Sequence, residues 1–446
     1  MGGVSVPSRS RRITRTTLAV VIVTLGVLGG CVDAEPTVDQ VDATTSVPGL
    51  SLTPVDGGTG YYEKFANPMS SSVSFFPIGV WLESVTSSEG VLLDQSAGLN
   101  TYVGLTPDSD LSLVRSAGMN AIHDGGPADV GSETTGWLLQ DEADMWAGPG
   151  DAEWTGHESG SVCVPSSSAC GYTVMSTLND RRPADGRLRY ANYGKGVLFW
   201  ETDSEAARFV NRYQQLTSAD AYFYSDDDLC DATQGGFLLG YGRALTSAEC
   251  HRASNYGRVV DRVRGLVSPA GRMPVWAYVE LGHPGTTGGQ ITPDQAAAAV
   301  WSSLIHGARG IVYFNHSFGG TCPTHHLLRD PCYADIRSRI SALNAQITRL
   351  APALNAPRVD GLTSVTGGVD ALTTWSNGTF YVFAGNQTVA STSARFSLPC
   401  VGDATVTVLD EGRTIPMSDG AFSDDFADDT SYHLYRIDGG RACGLR

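Results

Sequence analysis

The sequence predicts a (β/α)8 barrel followed by a small antiparallel β-sandwich. Three observations carry that expectation. Short apolar runs alternate with helical stretches through the middle of the chain. One helix-to-strand junction, a glycine followed by a buried run, recurs at Ala97-Gly98-Leu99-Asn100 and Ala117-Gly118-Met119-Asn120. Beyond Leu354 the pattern changes to short alternating strands. Strands that are apolar throughout suit a parallel sheet covered on both faces, and no G-x-G-x-x-G or phosphate loop favours an open nucleotide-binding sheet instead.

Residues 1–31 read as an export signal. Arg9, Arg11, Arg12 and Arg15 precede the apolar run Thr16–Val27, which is short for a membrane span, and Leu28-Gly29-Gly30-Cys31 resembles a bacterial lipobox. On that reading Cys31 is lipidated, and the protein sits at the extracellular face of the cell membrane or is secreted. Residues 32–67, polar with Pro, Gly and Thr, read as a tether.

Residues 68–355 hold the barrel. The expected strands are Phe75–Trp81, Asn100–Leu105, Asn120–Asp124, Trp137–Gln140, Leu188–Asn192, Ala219–Ser225, Pro274–Val279 and Gly310–Phe314. Thr292 and Pro293 mark the cap and first residue of the clearest helix, before Ala296–Ile305. A last helix carries Ile336, Ile340, Leu343, Ile347, Leu350 and Leu354 at helical spacing, and Pro352 and Pro357 punctuate its end. In residues 356–446, Leu372–Trp375 and Thr379–Ala384 flank the hairpin turn Ser376-Asn377-Gly378, and Ala404–Leu409, Arg413–Pro416 and Tyr432–Ile437 alternate likewise, as a sandwich requires.

The formal net charge is −17, and the signal segment contains arginines but no acids, so the mature chain is more acidic still. That balance repels nucleic acid and favours neutral partners. Eight cysteines besides Cys31 fall as near neighbours: Cys163 with Cys170, Cys230 with Cys250, Cys322 with Cys332, and Cys400 with Cys443. An even count suits an oxidising compartment, and the lack of C-x-x-C argues against zinc or redox motifs. A monomer is expected.

In such a barrel the residues just past each strand's carboxyl end face one cup. On this strand assignment they are Trp81 and Glu83, His123 and Asp124, Asp141 and Glu142, Tyr193, Asp226, Asp227 and Asp228, Glu280 and His283, and Asn315 and His316. Carboxylates, polar groups and flat aromatic faces suit a neutral polyol. The expected ligand contacts are Trp81, Asp124, Asp141, Tyr193, Tyr224, Asp226, Asn315 and His316, with Trp146, Trp154 and Trp200 as further stacking candidates. His123, Asp124 and the acidic run could serve metal-assisted hydrolysis, but scattered histidines lack ligand spacing, so no metal or cofactor is expected. His325 and His326 read as a surface loop.

Three stretches carry a family resemblance: Gly136-Trp137-Leu138-Leu139-Gln140-Asp141-Glu142, Pro274-Val275-Trp276-Ala277-Tyr278-Val279-Glu280, and Gly307-Ala308-Arg309-Gly310-Ile311-Val312-Tyr313-Phe314. Together they resemble the clan A retaining glycoside hydrolases. The resemblance implies Glu142 as general acid/base, Glu280 as nucleophile, a polysaccharide or oligosaccharide substrate, and catalytic carboxyls about 5 Å apart. Tyr224 would hold Glu280 ionised. The chain departs from the clan where Asp141 replaces an asparagine and where Asn315 and His316 follow the last strand in place of a tryptophan. Whether Asp141 or Glu142 carries the proton therefore stays open. An endo-acting furanosidase on cell-wall glycan is one expectation, and a barrel that binds glycan without cleaving it is the alternative.

Overall fold

The computed structural model describes residues 50–125, 129–146, 171–285, 287–439 and 443–445. The expected signal, Cys31 and most of the tether lie outside the described residues, as do Trp154, Cys163, Cys170 and the side chain of Trp146.

Eight parallel strands close a barrel in sequence order: Ile78–Glu83, Thr101–Leu105, Asn120–His123, Thr134–Asp141, Leu188–Tyr193, Leu216–Ala219, Val275–Glu280 and Ile311–Phe314. The last strand pairs back on the first through Ile78 with Ile311 and Val80 with Tyr313. Most strand cores are solvent-free, as an apolar run sandwiched between barrel interior and helix layer must be. The helix Pro293–Ile305 begins as its sequence requires: the Thr292 hydroxyl accepts from the Gln295 amide, and proline occupies the first turn, where a missing N–H costs nothing. The helix Ala334–Leu354 ends the barrel.

Strand six corrects the sequence reading. The aromatic stretch around Tyr222-Phe223-Tyr224 has strand-like composition, yet the strand is Leu216–Ala219, fixed by pairing of Tyr190 with Leu216 and Thr217 with Val275. Tyr222 to Ser225 instead turn over the barrel's carboxyl end, with the Ser225 amide donating to the Tyr222 carbonyl. Asp220, expected inside a strand, therefore stands at the end of one.

The C-terminal segment is a sandwich of two antiparallel sheets. The larger runs Ser51–Thr53, Arg358–Asp360, Val369–Ser376, Thr379–Asn386, Tyr432–Asp438, Ala404–Val408 and Arg413–Met417; the smaller runs Ser364–Thr366, Thr392–Ser397 and Ala421–Phe426. Phe380, Phe396, Phe422, Phe426 and Tyr435 fill the space between. The hairpin turn forms where expected, with Asn377 and Gly378 both at positive φ and Ser376 opposite Thr379. Ser51–Thr53 is a second correction. This segment, read as tether, forms the sheet's edge strand against Arg358–Asp360, and Tyr61 behind it is buried, so the folded body begins by residue 50. Trp301 of the barrel stacks on Phe383 of the sheet at 5.6 Å and ties the two layers together.

Among the described residues the expected disulfides Cys230–Cys250, Cys322–Cys332 and Cys400–Cys443 are formed, and the fourth expected pair, Cys163 with Cys170, lies outside them.

Candidate active site

The carboxyl ends of the barrel strands open into a cavity of about 260 Å3. Strand one contributes Trp81, strand four Asp141 and the following Glu142, strand five Asn192, and strand seven Tyr278. The segment after strand six supplies Asp220, Tyr222, Ser225 and Asp226, and strand eight supplies Phe314. Gly104 makes room for Trp81, since a Cβ there would meet its ring at 3.3 Å, and Trp81 packs edge-on against Tyr278 at 5.8 Å.

The acidic groups of the cup are tightly knit. One amide nitrogen, Asn192 Nδ2, donates to Asp141 Oδ1 at 2.9 Å and to Asp220 Oδ1 at 2.8 Å. Those two bonds laid end to end are the greatest separation the accepting oxygens can have, so the pair lies below the span of about 6.5–9.5 Å that leaves room for a trapped water. Glu142 follows with φ +49°, a left-handed conformation that costs a residue with a Cβ about 1 kcal/mol or more. Its amide donates to the Asn192 carbonyl and its own carbonyl accepts from Met145, so the strained turn is held on both sides. Gly194 gives the Glu142 carboxylate space: a Cβ there would stand 2.8 Å from Oε1.

Burial and mutual repulsion push all three carboxyls toward the protonated form. Asp141 is raised by desolvation and by the charge of Asp220; Glu142 is raised further by desolvation, Asp220 and Asp141. Asp220 is also raised by desolvation, but the Asn192 amide, the Tyr222 hydroxyl and the Lys195 ammonium all favour its charged form. Of the three it is the one whose surroundings best support a carboxylate. Lys195 also pairs with Asp226 at 2.9 Å on the cup wall.

Several expected contacts are not in the cup. Glu280 has no exposed surface and does not line the cavity. Its two oxygens accept from the Tyr256 hydroxyl at 2.7 Å each, and Oε1 also accepts from the Tyr224 amide at 3.2 Å and the Ser225 hydroxyl at 3.4 Å, so it is packed behind the wall that Ser225 forms. Tyr224 does bond Glu280, through its backbone and not its hydroxyl. Tyr193 points away from the cup and donates to the Phe209 carbonyl, since side chains on a strand alternate and Asn192 takes the inward position. Asn315 is fully buried, donating to Glu83 Oε2 at 2.7 Å and accepting from the Leu328 amide at 2.8 Å. His316 bonds the Leu82 carbonyl at 3.3 Å. Asp124 is exposed, its carbonyl accepting from Arg182. Trp200 packs partly buried against the core. Glu83, expected at the rim, is buried against Asn315, Arg329 and His326, so His326 is an ion-pair partner and not only a surface loop residue.

Trp81, Asp141, Glu142 and Asp226 line the cavity, and so do Asp220, Asn192, Tyr222, Tyr278 and Phe314, which are not among the ligand contacts expected from the sequence. For a metal, both His123 ring nitrogens are already occupied: Nε2 is bonded to the Thr134 hydroxyl and Nδ1 accepts from the Gly125 amide. Among the described residues one cluster has metal-binding spacing, Cys230, Cys250 and His251, and its two cysteines are joined to each other.

No family model matches this chain, and no curated protein matches it. Solved structures similar to it include a glycoside hydrolase, at 13% identity and TM-score 0.47, with 81% of this chain and 92% of that chain covered. Another is a glycoside hydrolase family 5 protein from Bacteroides vulgatus, at 13% identity and TM-score 0.48, with 82% and 90% covered. A third is a GH30 endoxylanase from Clostridium papyrosolvens, at 11% identity and TM-score 0.41, with 82% and 96% covered.

Proposed function

We propose that this chain is a retaining glycoside hydrolase acting on a neutral polysaccharide or oligosaccharide, with Asp220 as the ionised nucleophile and Asp141 as the proton carrier. The single observation behind this reading is the Asn192 amide bridging the two carboxylates. It supports a spacing of the order of the 5–5.5 Å at which one carboxylate attacks the anomeric carbon while the other protonates the departing oxygen. Asp141, kept neutral by burial and by Asp220, donates that proton and then takes one from the water that releases the sugar. Glu142, neutral beside it, hydrogen-bonds a ring hydroxyl. Trp81, Tyr222, Tyr278 and Phe314 supply flat faces for the sugar, and four acids in one cup oppose an anionic substrate.

The test is a panel of neutral polysaccharides, including furanose-rich arabinogalactan for the endo-acting furanosidase reading, with the anomer of the first product followed by NMR. Retained configuration is expected. Inverted product would defeat the double displacement, and no hydrolysis of any panel member by folded protein would defeat the glycosidase reading.

The protein is further proposed to work outside the cytoplasmic membrane, anchored by lipid on Cys31. The disulfides among the described residues support an oxidising environment. Cys31→Ser is expected to move the protein from the membrane fraction to the medium or to leave the signal uncleaved. Wild-type protein found wholly in the medium without acyl chains would exclude the anchor.

A further inference from the structure

Phe318 is 49% exposed, and His325 is exposed beside it. A single exposed aromatic needs no explanation, but these two continue a row of rings that begins inside the cup. Phe314, on the cup wall, lies 5.2 Å from the His316 ring and 6.3 Å from Phe318; His316 lies 5.8 Å from Phe318 and 5.2 Å from His325; Phe318 and His325 are 5.4 Å apart.

The row is held in place. Ser317 and Thr324 exchange backbone hydrogen bonds of 2.8 Å each, Cys322–Cys332 closes the loop, and the Tyr333 hydroxyl donates to the Cys322 carbonyl at 2.7 Å. The Phe318 amide donates to the His283 carbonyl at 2.9 Å, directly before Pro284 and Gly285, which line the cup. A rigid scaffold therefore holds the half-exposed Phe318 ring beside the cavity, buttressed edge to face by His316 at 73° and by His325 at 64°, where a flexible loop would let it fold inward. Burial and the neighbouring His325 lower the His316 pKa, so its ring stays neutral at neutral pH. The exposed face of the Phe318 ring suits a neutral ring-shaped ligand extending from the cup.

We propose that Phe318, held edge-on by His325, is the stacking face for a second sugar ring, next along the chain from the one seated in the cup, so that the site selects glycan chains over single glycosides. The proposal rests on the glycosidase reading of the cup and adds the residue that recognises the neighbouring sugar.

The test is affinity electrophoresis of the mature protein in native gels containing arabinogalactan, xylan or galactomannan, every variant carrying Asp220→Asn so that the polysaccharide survives the run. The parent is expected to be retarded by at least one polysaccharide. Phe318→Ala, at a half-exposed position and so expected to lower the melting temperature only slightly, should weaken that retardation about tenfold, while Phe318→Tyr preserves it. Equal retardation of Phe318→Ala and parent would overturn the stacking role and leave the glycosidase reading standing. A parent retarded by none of the three would also overturn it, and the hydrolysis panel would then judge the glycosidase reading on its own.

Discussion

Asp220→Asn, which keeps the shape of the side chain and an oxygen for the Asn192 amide, is expected to slow hydrolysis of the preferred polysaccharide by about 10^4-fold or more with the fold intact, because it removes the charge that attacks the reacting carbon; Asp220→Ala should be as slow and also less stable, since it strands the Asn192 amide. Asp141→Ala should be nearly as severe for substrates with poor leaving groups and milder for activated aryl glycosides, whose oxygen leaves without a proton. Azide separates the two roles. In Asp220→Ala it replaces the nucleophile and yields a glycosyl azide of inverted configuration; in Asp141→Ala it attacks the covalent intermediate and yields the retained one. Inverted azide product from Asp141→Ala would exchange the assignments. The pH profile gives a further check. Asp220's charge helps hold Asp141 protonated, so in Asp220→Asn the Asp141 pKa falls and the alkaline limb of any residual activity moves to lower pH.

How far the site could be read from sequence depended on how strongly each strand announced itself. The runs before Asp141 and before Glu280 are apolar nearly to their ends, so their expected carboxyl ends, Gln140 and Val279, fall within one residue of the observed ones, and Asp141 and Glu142 follow. Leu216–Ala219 is four residues long with Thr217 and Ser218 at its centre, and it lies beside a more strand-like aromatic stretch that is in fact a turn. A displacement of that strand hid Asp220. Asn192 and Tyr193 show a second limit: adjacent residues at a strand end face opposite ways, and composition alone does not say which faces in. The hairpin at Asn377-Gly378 was legible because only residues tolerant of positive φ fit there. The edge strand Ser51–Thr53 was not, since its partner lies some three hundred residues along the chain and nothing local marks the pairing.

Glu280→Gln is expected to keep most of the hydrolytic activity and to change how stability depends on pH. Glu280 has no exposed surface, and burial raises its pKa from the usual carboxylate value to about 7, against the opposing pull of the Tyr256 hydroxyl and the Tyr224 amide. A folded-state pKa raised above the unfolded one means the folded protein binds the proton more tightly. The resulting stability is fully present below about pH 4.5 and is lost as pH rises through about 7, a change of about 3 kcal/mol across that window. Glutamine carries no charge at any pH, so denaturation of Glu280→Gln should lack this part of the slope and the variant should gain on wild type between pH 5 and about pH 9. Glu280→Ala should instead lose about 3 kcal/mol at pH 5, because it leaves a cavity and strands the Tyr256 hydroxyl and Tyr224 amide without an acceptor. A rate loss in Glu280→Gln as deep as that of Asp220→Ala, with the fold intact, would return the nucleophile to strand seven: the buried carboxylate would then have to reach the cup by displacement of Ser225 from the wall between them.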